Sequence, residues 1–156
     1  MKLGVFFLPR FARAAFVLGG ALPWLVAPLR ASLLSPRSGA LLDLLFLPVC
    51  HRLPERTLLL GGVAMPLCSR CAGLFAGVAL GALALWPALS LARWRLIMAL
   101  TFALMIAEIA AQDLHLHPIW HPTRLLSGAL FGYALGAATI GALYRNARED
   151  AGLPER

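Results

Sequence analysis

Cys50-His51-Arg52-Leu53-Pro54-Glu55-Arg56 and, past the apolar stretch Thr57–Leu67, Cys68-Ser69-Arg70-Cys71-Ala72-Gly73 set the terms for the rest of the chain. These two segments hold all three cysteines, one of the four histidines and three arginines. Between them, Gly61-Gly62 separates Leu58-Leu59-Leu60 from Val63-Ala64-Met65, which reads as a tight hairpin or loop turn. Such a turn folds Cys68 and Cys71 back onto Cys50 and His51. Long apolar runs lie on both sides, so the reading that follows is a polar site at the edge of a membrane bundle.

The bulk composition agrees. Of 156 residues, 60% are hydrophobic and only 13% charged, with mean hydropathy +0.79. Soluble domains carry about a quarter charged residues, so the chain falls in the polytopic membrane class, one bundle and one domain over residues 1–156. The net charge of +7 comes almost entirely from arginine, Lys2 being the one lysine. Those arginines stand at the ends of apolar runs, where they orient helices and meet anionic lipid. No basic tract with interleaved aromatics marks a nucleic-acid partner.

Working outward, Met1–Arg13 is short and basic and precedes the apolar run 14–29. That pairing resembles a signal peptide, but Pro23, Pro28 and the absence of a small-x-small cleavage site favour a kinked, uncleaved first span. Arg30–Ser38 is a polar link. Gly39–Val49, with Asp43 inside it, is too short to cross and reads as an interfacial helix that delivers Cys50 to the surface. Further spans are expected at about 72–92, 96–112 and 125–144. Arg93 and Arg95 mark a short turn between the second and third. Gly73, Gly77 and Gly81 form one small-residue ridge and Gly128, Gly132 and Gly136 another, each letting a neighbouring helix approach closely. Trp24, Trp86, Trp94 and Trp120 sit near span ends, as in an aromatic belt. The expected fold is therefore all-α: about four transmembrane helices plus the short interfacial helix.

Topology then joins two distant loops. A hairpin of the second and third spans puts residues 50–71 and 113–124 on one face. With the N-terminus inside, Lys2, Arg10, Arg13, Arg93, Arg95, Arg145, Arg148 and Arg156 lie inside, against Arg30, Arg37, Arg52, Arg56, Arg70 and Arg124 outside. By the positive-inside rule this places the cysteine loop on the extracytoplasmic side of the cell (inner or plasma) membrane.

The pattern Cys50-His51-Arg52-x-Pro54-Glu55-Arg56, then Met65-Pro66-x-Cys68-x-Arg70-Cys71-x-Gly73 opening a span, resembles a family of small prokaryotic membrane proteins known as domain of unknown function 2085. Asp113, Arg124, Ser127-Gly128 and Gly132 look like that family's second signature. The resemblance covers roughly 42–136. It implies a shared four-helix architecture and a shared polar site, and it brings no known activity.

Thiolate and imidazole ligands at C-x-x-C spacing suit a tetrahedral zinc ion. Cys50, Cys68 and Cys71 supply three sulfurs, and the family-consistent fourth ligand is His51. Neighbours in extended chain point to opposite sides, so His115, His117 or His121 from the facing loop, or an aqua ligand, are alternatives. Arg52, Arg56, Arg70 and Arg124 form a candidate set for a small anion or a lipid headgroup. Asp113 and Glu55 are the candidate proton-transfer groups, with pairing to the arginines as their structural role. Glu108, an acid inside a span, is a functional candidate by position alone. Two other readings use the same residues. A C-x-x-C at a helix start, beside Arg70, favours thiolate and suits a membrane thiol–disulfide relay. Equally, a metal that only staples the loop fits a non-catalytic accessory protein. Protein partners, substrate and reaction leave no mark in the chain.

Overall fold

The computed structural model describes residues 6–33, 41, 44–51, 53–84 and 89–153. Arg52, Asp43, Trp86, Lys2, Arg37 and Arg156 lie outside the described residues. The elements in order are α1 (Phe7–Leu33), β1 (Thr57–Leu60), β2 (Val63–Cys68), α2 (Ser69–Leu83), α3 (Leu91–Asp113) and α4 (His121–Asp150), with a single 3-10 turn at Pro54–Arg56 before β1.

Helix α1 starts seven residues before the apolar run. Pro9 falls in its first turn, where a missing N–H breaks no bond, so Arg10 and Arg13 are helical too. Pro23 and Pro28 lie within it without ending it. Ahead of Cys50, Leu44–Phe46 is helical, and the Phe46 carbonyl then accepts from both Val49 N and Cys50 N at 3.0 Å.

The chain next forms a two-stranded antiparallel hairpin, which the all-α expectation omits. Gly61 and Gly62 have φ of 58° and 80°, the pair of positive values that a two-residue hairpin turn demands. Register slips between Thr57 and Leu59, opposite the stretch where Pro66 has no N–H to give the ladder. Met65 and Leu67 are fully buried against the bundle, which is what holds so short a hairpin in place. Replacing Gly62 by alanine should therefore cost about 1 kcal/mol in a detergent melt, whereas Gly61→Asn should be nearly neutral, because asparagine tolerates positive φ.

The second helix is shorter than the span expected at 72–92. It covers 15 residues, about 22 Å of rise against a hydrocarbon core of about 30 Å. Arg93 and Arg95 are not in a turn but in the first two turns of α3. The Ser90 hydroxyl caps that helix by accepting from Arg93 N at 3.4 Å, which moves the helix start ahead of both arginines. Among the described residues three helices are long and apolar enough to cross a bilayer: Phe7–Leu29, Leu91–Asp113 and His121–Asp150.

Directions follow from the contacts. The Arg13 guanidinium donates to the Leu83 carbonyl at 2.8 Å and the Trp24 indole to the Ala72 carbonyl at 3.1 Å, so α1 and α2 are antiparallel. Helices α2 and α4 are parallel and interlock through their glycine ridges. A Cβ at Gly73, Gly77 or Gly81 would lie 2.1–2.2 Å from the carbonyl oxygen of Leu125, Ala129 or Tyr133, and one at Gly128, Gly132 or Gly136 would lie 2.1–2.4 Å from that of Arg70, Leu74 or Val78. Helix α3 runs back along α4. Trp94 is buried on Ala134, Ala137 and Ala138 at one end, and Gln112 is buried at the other. Its leucines 96, 100 and 104 are exposed, a surface made for lipid. One end of the bundle thus gathers the last turns of α1 and α3, the first turns of α2 and α4, and the hairpin.

Candidate metal centre

Cys50 leaves the short helical turn at Phe46 and enters a pocket of Val26, Phe46 and Leu67, where it is 6% exposed. His51, the next residue, is exposed, as alternation along an extended segment requires. Cys68 ends β2 and is the N-cap of α2, and Cys71 lies in that helix's first turn. Both pack at the rim of the Cys50 pocket beside Phe75. All three thiols are free, and their sulfur atoms lie within 4.8 Å of one another. Sulfurs around a tetrahedral zinc at about 2.3 Å stand about 3.8 Å apart, so the group closes with a small contraction. Among the described residues this group consists of sulfurs alone, without a histidine nitrogen or a carboxylate oxygen.

Backbone and electrostatics prepare the sulfurs. Cys68 N donates to Cys50 Sγ at 3.3 Å, as helix-start amides do for anions. Hydrogen bonds with Cys50 and then Cys71, helped by the charge of Arg124, hold the Cys68 thiol well below its ordinary range despite burial. The same contacts with Cys50 and Cys68, together with burial, push the Cys71 thiol up, so within the group Cys68 is the first to give up its proton.

Around the sulfurs the arginines are already engaged. Arg70 donates through Nε (3.1 Å) and a terminal nitrogen to Glu108 Oε2, both side chains being 14% and 10% exposed respectively. Glu108 Oε1 accepts from the Gln112 amide. Gln112 Oε1 accepts from Arg124, whose Nε donates to Ser69 Oγ at 3.2 Å. Because Ser69 and Arg70 are consecutive, these groups close a ring through α2, α3 and α4. Arg56 reaches Asp113 at 3.9 Å in a half-exposed pair that adds little stability. Glu55 is exposed on the 3-10 turn. His115 holds a left-handed φ of 56°, and the His117 ring lies 2.8 Å from the Pro118 carbonyl. His121 Nδ1 and Arg56 Nε are buried and have no partner among the described residues.

Gln112 and Ser69 are the members of this end that residue chemistry alone passes over. For Gln112 the signal was its i, i+4 spacing from Glu108, which puts a carboxylate and an amide on one helix face inside an apolar run.

Residues 50–138 match the family described as predicted membrane protein (DUF2085). The chain belongs to DUF2085. No curated protein and no solved structure matches it. The matched segment of this DUF2085 protein runs from the first ligand candidate, Cys50, through the α2–α4 glycine interface to Ala138. It contains the sulfur group and the polar ring, whereas α1, which supplies Val26 to the Cys50 pocket, lies outside it.

Proposed function

We propose that this DUF2085 protein is an integral protein of the cell membrane that holds a zinc ion on Cys50, Cys68 and Cys71 at one bilayer face. The reading rests on one observation, the three free sulfurs within 4.8 Å of one another at the start of α2. Helix α2 makes the fourth crossing, completed at the site end by the apolar hairpin. The positive-inside count favours the extracytoplasmic face for the site.

Zinc held by Cys50, Cys68 and Cys71 would have a fourth position for water or an anion and would supply Lewis-acid chemistry there. The geometry sorts the charged groups around that position. Arg70 and Arg124 are committed to Glu108, Gln112 and Ser69, which among the described arginines of the set leaves Arg56 as the better anion contact. Asp113 balances Arg56, while Glu55 faces solvent. The function that fits is binding of a small anion or a lipid headgroup at a metal-thiolate site. A thiol–disulfide relay has one feature in its favour, the depressed Cys68 thiol in a C-x-x-C at a helix start.

Zinc and thiol counts on the detergent-purified protein decide between them. The metal site gives about one zinc per chain and three thiols that react with a disulfide reagent only after chelation. A relay gives no zinc and a single reactive thiol, which sinks the proposal. Cys68→Ser should lose the zinc. If helix content survives that loss the position is an open binding site, and if the bundle unfolds the metal is a staple.

A further inference from the structure

The buried ring does not balance its own charge. Arg124 is 1% exposed, yet both its hydrogen-bond partners, Ser69 Oγ and Gln112 Oε1, are neutral. Glu108 is the one carboxylate in the ring, and Arg70 takes it with two donors. Among the described residues, two guanidinium groups against one carboxylate leave the ring with a single positive charge. Exposed Asp113 is matched by Arg56. An uncompensated buried charge costs several kcal/mol, so an anion belongs nearby.

The chain shows where. Ser69, whose hydroxyl Arg124 holds, directly follows Cys68 and stands two residues before Cys71. Three thiolates around a divalent ion carry one net negative charge. We infer that Arg124 is the counter-charge of the cysteine–metal cluster, held in place by the Ser69–Gln112–Glu108–Arg70 ring. This rests on the metal reading above and makes Arg124 a positioning residue: it stabilises the loaded cluster without touching the ion. The Arg124 guanidinium, buried and engaged, is thereby removed from the set that would bind an external anion.

The test separates charge from scaffolding by its sign. Zinc affinity is measured by competition with a chromophoric chelator on wild type, Arg124→Gln, Arg124→Lys and Glu108→Gln in detergent, with thermal melts alongside. Arg124→Gln should weaken zinc about 10–100-fold, the usual effect of an outer-shell partner. Arg124→Lys keeps the charge but cannot reproduce the two-nitrogen contact to Ser69 and Gln112, so it should lose less than Arg124→Gln, under about tenfold, and it carries the test where the glutamine variant does not fold. Glu108→Gln removes the ring's negative charge while keeping its shape. Zinc should then bind as tightly as in wild type or more tightly, even though the melting temperature falls. Parallel loss of affinity in both glutamine variants, or an unchanged Arg124→Gln, overturns the inference. A wild-type protein that takes up no zinc overturns the metal reading itself, and this one with it.

Discussion

A chain with leucine at position 77 should fail to form the bundle. A Cβ on Gly77 would stand 2.2 Å from the Ala129 carbonyl oxygen and 2.7 Å from the Tyr133 nitrogen, and both atoms are backbone. Carbon and oxygen need more than 3 Å, so α2 and α4 must separate by about 1 Å even for alanine. Separation at one glycine disengages the other five, because each ridge sits on the carbonyls of the opposite helix. Within a bilayer the loss is not offset by any gain from burying apolar surface, since lipid tails are as apolar as the helix face. Gly77→Ala should cost about 3 kcal/mol, at the upper end for overpacking, and Gly77→Leu more than 4 kcal/mol. Gly141 is the internal control. Nothing lies within 4 Å of a Cβ there, so alanine should leave the melt unchanged or raise it slightly. Thermal melts and limited proteolysis in detergent read both. A Gly77→Leu protein that melts with wild type would show that the two helices do not meet at this face.

Replacing Glu108 by leucine has the next largest expected effect, a loss of about 3–5 kcal/mol. The carboxylate takes two donors from Arg70 and one from Gln112 in a region where little else holds α3. Trp94 and Gln112 are the buried residues of that helix, so its site end depends on the ring. Without Glu108, the Arg70 guanidinium is left charged and unpaired beside a second buried arginine. Converting Arg70 to leucine in the same chain should restore most of the loss, because an apolar pair of similar volume is often as stable as a buried ion pair. The double-mutant cycle, followed by denaturant titration in mixed micelles, should show coupling of at least about 2 kcal/mol. Losses that simply add in the double variant would refute the pairing.

Some of this was legible before any coordinates. The glycine ridges at four-residue spacing announced close helix contact, and the ridges do face each other across the parallel helices α2 and α4. Gly61-Gly62 announced the hairpin turn, although strands as short as β1 and β2 do not stand out in an apolar run. Cys50, Cys68 and Cys71 were legible as one group because the turn between them closes a short loop. Helix limits were less so. Hydropathy placed the start of α1 at its first long apolar run, but arginines on exposed helix faces keep the backbone helical, and Arg10 and Arg13 belong to the helix. Hydropathy likewise carried α2 past Leu83, whereas the helix stops there and Ser90 sets the next start. The ring was hidden for another reason. Ser69 and Arg124 are 55 residues apart, and only the shared direction of α2 and α4 brings them together. Of the arginines that looked open to an outside anion, Arg70 and Arg124 are turned inward by that geometry.

Val26 has one further consequence. It belongs to α1, packs on Cys50, and lies outside residues 50–138, which the family model matches. The helix shielding the sulfurs is therefore not part of the unit that carries them. One wall of the Cys50 pocket thus comes from a stretch that the family match does not cover, so a change in α1 can alter the cover over the sulfurs while the three cysteines stay where they are.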